Sequence, residues 1–162
     1  MIQKRPILRY VLAYTLWILS TGLGILVLNL ARETLLLGMV VSSNLGEPTQ
    51  SEKFYASLRA AAASSWSILV LGLLALILLV GIENYYRMSV PSGKLSRRFF
   101  LVSGIECVVL FLTHSSYYAL LQTFRPSGWT AFAFPAVEFV LAALLLWIFY
   151  FLKSKARKAA TQ

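Results

Sequence analysis

Four long apolar runs organise the chain, at about residues 10–30, 64–82, 99–122 and 130–152, with most charged positions gathered between them. Each run matches or nearly matches the ~20 residues that carry a helix across about 30 Å of hydrocarbon. No water is present there to satisfy backbone N–H and C=O groups, so each run is predicted to be a membrane-spanning α-helix. The expected fold is an all-α integral membrane protein, a single four-helix transmembrane domain over residues 1–162. The first run follows Lys4, Arg5 and Arg9, as the apolar core of a signal peptide would. It is too long for that role and no A-x-A site follows it, so it is read as an uncleaved span.

The polar stretches differ from one another. Beyond Leu30 the sequence stays compatible with helix to about Val41, through Leu35, Leu36, Leu37, Met39 and Val40. Residues 42–48 read as a turn. Thr49-Gln50-Ser51-Glu52 then has the spacing of a capping box, in which the Thr49 hydroxyl accepts from the Glu52 amide and the Glu52 carboxylate reaches back. No helix breaker lies between Phe54 and Ser67, and the alanines of 60–63 favour helix. Helices 1 and 2 are therefore expected to run past the bilayer as an outer helical hairpin over about 31–63, each adding roughly 20 Å. Its leucines and valines would leave apolar surface outside the membrane, which marks Leu36, Met39, Val40 and Leu58 as a partner-docking surface. The stretch 84–98 reads as a turn-rich linker without a site. The stretch 124–128 reads as a tight turn that sets helices 3 and 4 antiparallel, closing the bundle.

Composition agrees with this reading. Charged residues make up 13% of the chain, against about a quarter in a soluble domain. The net charge of +9 raises the question of nucleic acid, but the basic residues flank apolar spans and no nucleic-acid module surrounds them, so no such partner is expected. Their distribution is informative. Lys4, Arg5, Arg9, Arg87, Lys94, Arg97, Arg98, Lys153, Lys155, Arg157 and Lys158 fall on one side of the predicted spans, and Arg32, Lys53, Arg59 and Arg125 on the other. The positive-inside rule then predicts an N-in/C-in topology with both termini in the cytoplasm, and the plasma membrane is the expected location. Aromatics at the span ends follow the same division, with Tyr10, Tyr85, Tyr86 and Tyr150 inside and Trp66, Tyr117, Tyr118 and Trp129 outside.

Ionisable residues at membrane depth are costly and need partners or a use. The third run carries Glu106 and His114, and the fourth carries Glu138. With Pro126 as the midpoint of the turn, His114 lies twelve residues before it and Glu138 twelve after. The two are therefore level in an antiparallel pair and are expected to meet. By the same arithmetic Glu106 lies opposite Trp147. It stands about 80° around the helix from His114, on a shared broad face. Two roles are open: a proton or cation path through Glu106, His114 and Glu138, or a packing hydrogen bond with Glu106 finding a hydroxyl such as Ser103 or a partner subunit. Pro135 is expected to kink helix 4 and free a carbonyl. Glu83 and Arg87 are expected to form a helix-end salt bridge. Ser20, Thr21, Gly22 and Gly24, with Gly72 and the pairs Ala61/Ser65 and Ala63/Ser67, predict a close approach of helices 1 and 2.

The usual equipment of catalysis is sparse. One histidine and one cysteine, Cys107, are too few for a haem or zinc site or an internal disulfide. No GxSxG, HExxH, P-loop or GxGxxG occurs. Ser115 adjoins His114 but points about 100° away from it, so the two do not form a nucleophile and base. No cofactor or metal is expected. The leading expectation is a small non-catalytic accessory or assembly subunit of a larger membrane complex, contacting other membrane subunits and the lipid bilayer. The first alternative is a proton-coupled small transporter or ion pathway through a homo-oligomer, using Glu138, His114 and Glu106. The second is a membrane-embedded lipid-acting enzyme with residues 113–118 lining a pocket.

Overall fold

A computed structural model describes residues 4–43, 49–122, 128 and 130–159. They form four helices: α1 (Lys4–Ser43), α2 (Gln50–Arg87), α3 (Leu95–Gln122) and α4 (Thr130–Ala159). All four are long and apolar enough to cross a bilayer. The chain is thus an all-helical, multi-pass integral membrane protein. The predicted turn residues 44–48 and 124–127, and Trp129, lie outside the described residues; Gly128 is exposed.

The start of α2 is fixed by the predicted capping box. The Glu52 N–H donates to the Thr49 hydroxyl at 3.4 Å, and the Thr49 N–H donates to Glu52 Oε2 at 2.7 Å. Two of the N–H groups that a helix start leaves without partners are satisfied there. From that cap α2 runs unbroken through residues 50–63 into its apolar stretch. α1 likewise continues without interruption past Arg32 to Ser43. α4 runs on through Pro135, which lacks an N–H to offer the carbonyl one turn earlier but does not break the helix.

The helices pack as a row in the order α2, α1, α3, α4. α3 packs most extensively on α4, and α1 packs on both α2 and α3. α2 touches α3 only marginally, and among the described residues α4 meets neither α1 nor α2. Among the described residues helices 3 and 4 therefore extend a layer, where the sequence predicts that they close the bundle. The seams explain the order. A Cβ at Gly104 would stand 2.7 Å and 2.9 Å from the Cδ2 and Cγ of Leu146, so the missing side chain is what admits α4 to α3. Gly24 and Gly38 of α1 face α3, at Glu106 and Leu120. Of the small residues of helix 1, Gly24 thus serves the α1–α3 seam, while Ser20 bonds Tyr86 of α2. Gly22 and Gly72, expected between α1 and α2, have open space around them. The α1–α2 seam is instead pinned by side-chain hydrogen bonds, among them Trp17 Nε1–H donating to the Leu79 carbonyl at 3.1 Å.

These contacts also set depth. Gly24 lies opposite Glu106 and Gly38 opposite Leu120, so α1 and α3 run parallel with an offset of 82 residues. Thr34, whose hydroxyl lies 3.5 Å from the Thr113 carbonyl, fits within one turn. The apolar stretch 99–122 is then level with residues 17–40, not 10–30. Sequence placed the end of the first span before Arg32 and Glu33 because a charged pair ordinarily ends an apolar run. In the structure α1 stays on α3 through this pair, so the segment from 31 to 40 does not stand clear of its neighbour.

The stretch 84–98 is the other departure. Far from being a bare linker, it is the best-buried part of the molecule. Tyr86, Val90 and Leu95 form a core with Ala13, and Trp17 and Phe99 pack against it. Arg98 ties the turn together: its Nη1 donates to the Tyr85 carbonyl at 2.7 Å and to Ser89 Oγ at 3.3 Å, and its guanidinium lies 4.4 Å from the Tyr85 ring centroid. Gly93 supplies the positive φ of 64° that turns the chain. Tyr86, expected as an interfacial aromatic, is 1% exposed and its hydroxyl lies 2.7 Å from Ser20 Oγ. Glu83 and Arg87 border a shallow depression with Tyr10, Tyr14 and Trp17, and they form no ion pair with each other.

Candidate functional site

α3 and α4 pack in antiparallel register, with Gly104 against Leu146, and that register brings His114 to Glu138. Nδ1 of His114 lies 2.5 Å from Oε1 of Glu138. The side chains are 24% and 12% exposed. The Tyr118 ring stacks on the imidazole, with centroids 5.7 Å apart, and the Phe111–Phe139 ring pair at 5.4 Å flanks the site on the next turn. Glu138 Oε2 is buried without a hydrogen-bond partner among the described residues. A buried carboxylate oxygen left unpaired costs free energy, which gives this oxygen a use for a proton, a water or a group from another chain.

Glu106 lies elsewhere. Its Oε1 stands 3.5 Å from where a Gly24 Cβ would be, so it faces α1, and its Oε2 is buried without a partner. Ser103 is buried but does not bond it. One turn before Gly24, Thr21 Oγ1 is likewise buried and unpartnered. By sequence the 80° between Glu106 and His114 predicts one broad face. α3 sits between α1 and α4, so the same angle sends one residue to each neighbour. Cys107, buried on α3, lies within electrostatic reach of both Glu106 and Glu138. The described residues contain no cluster of three or more His, Cys, Asp or Glu side chains able to hold a metal.

Two of the five hydroxyls in the polar run 113–118 are occupied by their own helix. Thr113 donates to the Val109 carbonyl at 2.7 Å and Ser116 to the Leu112 carbonyl at 2.8 Å. Of the docking residues expected from sequence, Leu36 is half-buried, while Met39, Val40 and Leu58 are 42–50% exposed. The α1–α3 offset puts Val40 level with Gln122, at the end of α3.

One polar group escaped the sequence reading. Arg32, by sequence a charge beyond the first span, donates from Nη2 to Ser64 Oγ at 2.9 Å and from Nε to Ser67 Oγ at 3.3 Å, both on α2. Its Nη1 donates to Glu33 Oε1 at 2.7 Å. The same offset of 82 sets Arg32 level with His114, eight residues or about 12 Å below the end of α3. The available signal was the pair of serines three residues apart at the start of the second apolar run, which present two acceptors on one helix face.

Comparison of the chain with protein-family models, with curated proteins and with solved structures finds no match. Geometry and chemistry are what bear on function.

Proposed function

We propose that the protein is a small non-catalytic accessory or assembly subunit that binds other membrane subunits along the faces its helical row leaves open. The observation that carries this reading is the row itself. Among the described residues α2 has only α1 as a substantial neighbour and α4 has only α3. Apolar exposure in lipid is no signal by itself. Support comes instead from the bare Gly22 and Gly72, which offer another helix a close approach. The unpartnered oxygens of Glu106 and Glu138 add to it as acceptors for a partner's donor.

In this reading both termini are cytoplasmic and the membrane is the plasma membrane. Eleven Lys and Arg residues on the side of the termini, against Lys53, Arg59 and Arg125 on the other with Arg32 at the depth of His114, support that orientation. The outer hairpin is then the rim formed by the ends of α1 and α2, with Leu36, Met39, Val40 and Leu58 as the docking residues. The test is to replace Met39 and Leu58 by glutamate and follow the assembly on native gels from the protein's own membrane. The expected result is an inserted protein that leaves the larger complex. Assemblies that survive these changes and the same changes at Leu36 and Val40 would overturn the reading.

The close His114–Glu138 contact favours a second reading, a proton-coupled small transporter or ion pathway in a homo-oligomer. There Glu138→Gln abolishes flux in proteoliposomes while yield is unchanged. A loss of yield with intact flux would assign the pair to packing alone.

A further inference from the structure

Between α1 and α2 the surface opens into a groove of about 290 Å³. Arg32 and Asn29 stand at one end. Below them the walls are apolar: Ile25 and Leu28 from α1, and Ile68, Leu71 and Ala75 from α2. From Arg32 to Ile25 is seven residues, so the apolar part descends roughly 10 Å toward the middle of the bilayer. α2 is an edge helix of the row, and it exposes Leu69, Leu73 and Leu76. The groove therefore opens sideways into lipid.

The polar end is built for an anion. Arg32 is held in place by two serines of α2 and by Glu33. Those three bonds use three of its five N–H groups and leave two without an acceptor among the described residues. Its side chain is 22% exposed and so already largely desolvated, while that of Glu33 is 49% exposed and only partly offsets the charge. A guanidinium fixed in this way can donate its remaining N–H groups to a phosphate without first losing side-chain freedom. Asn29 adds an amide donor beside it.

We infer that the groove holds one phospholipid, with its phosphate on the remaining Arg32 N–H groups and the Asn29 amide, and one acyl chain against Ile25, Leu28, Ile68, Leu71 and Ala75. A free phosphate would leave the apolar floor unused. A neutral hydrocarbon would leave the arginine donors unused. The volume is at the lower limit for a small-molecule site, which suits one chain and a phosphate but not a whole two-chain lipid. The second chain of the lipid stays in the bilayer.

Native mass spectrometry of the full chain tests this, starting from a detergent without phosphate and titrating phosphatidylglycerol. The expected result is one tightly held lipid, about tenfold weaker binding in Arg32→Gln, and weakening of similar size in Ala75→Trp, which fills the floor without touching the arginine. Val80→Trp, on an exposed part of α2 outside the groove, leaves binding unchanged. Diacylglycerol, which lacks the phosphate, binds about tenfold more weakly than phosphatidylglycerol. Equal binding by the wild type, Arg32→Gln and Ala75→Trp would overturn the inference. So would diacylglycerol binding as well as phosphatidylglycerol, or inorganic phosphate displacing the lipid completely. Should Arg32→Gln fail to fold by circular dichroism, Ala75→Trp and the diacylglycerol comparison decide the matter.

Discussion

Gly104 has no room for a side chain without a shift of Leu146. Gly104→Ala is expected to destabilise the α3–α4 pair by roughly 1–3 kcal/mol, as overpacking does, and Leu146→Ala in the same chain should recover part of that loss. Unfolding in detergent measures both. Gly22→Ala, with open space around it, should be neutral. A second residue-scale case is the Ser20–Tyr86 pair. Tyr86→Phe strands a buried hydroxyl on Ser20 and should cost about 1–3 kcal/mol, while the double change Ser20→Ala with Tyr86→Phe should cost less than either alone. Some of this was legible in sequence and some was not. The His114–Glu138 contact could be read because a short turn fixes the register of two antiparallel helices, so counting residues gives depth; what the contact is for could not be read that way. The partners of Arg32 were hidden for the opposite reason. α1 and α3 are parallel and not joined by a turn, so nothing in the sequence sets their offset. A charge at the end of an apolar run then looks like the end of a span.

At the scale of elements, two devices hold segments that hydropathy treats alike. The capping box anchors α2 at Thr49. Hydrogen bonds from the Thr49 hydroxyl and then its amide hold the Glu52 carboxyl below its ordinary value of 4.5. A depressed value in the folded state means the ionised form is the one the fold prefers. Its support of the first turn of α2 is therefore present above 4.5 and is lost as pH falls through the lower folded value. Hydrogen exchange at the first-turn amides, corrected for intrinsic rates, should show that loss of protection on acidification. Glu52→Gln should keep the cap and remove its pH dependence. The second device is Arg98, which holds the turn between α2 and α3 through the Tyr85 carbonyl, Ser89 Oγ and the Tyr85 ring. Arg98→Ala should release that turn, read as faster tryptic cleavage at Lys94, and Arg98→Lys should restore it only in part because an ammonium lacks the planar fork. The capping box was legible because its four residues are contiguous. The Arg98 turn was not, since Ser, Pro and Gly within 89–93 score as loop whether the loop is bare or folded against a core.

At the scale of the molecule, the number and nature of the helices could be read from four apolar runs, but their order in space could not. Hydropathy is nearly uniform around a membrane helix, so it does not say which faces meet. The row follows from particular contacts: Gly104 against Leu146, Gly24 and Gly38 against α3, and Trp17 and Arg32 against α2. A row of this kind, with an outer helix at each edge and unpartnered carboxylate oxygens within, is the basis for reading the protein as one part of a larger assembly. The most direct measurement of that claim is the native mass of the protein extracted from its own membrane in a mild detergent. The account predicts a particle well above the 18.1 kDa of the chain, containing other polypeptides at a fixed ratio across independent preparations. A particle composed of this chain alone, whether single or self-associated, would contradict it.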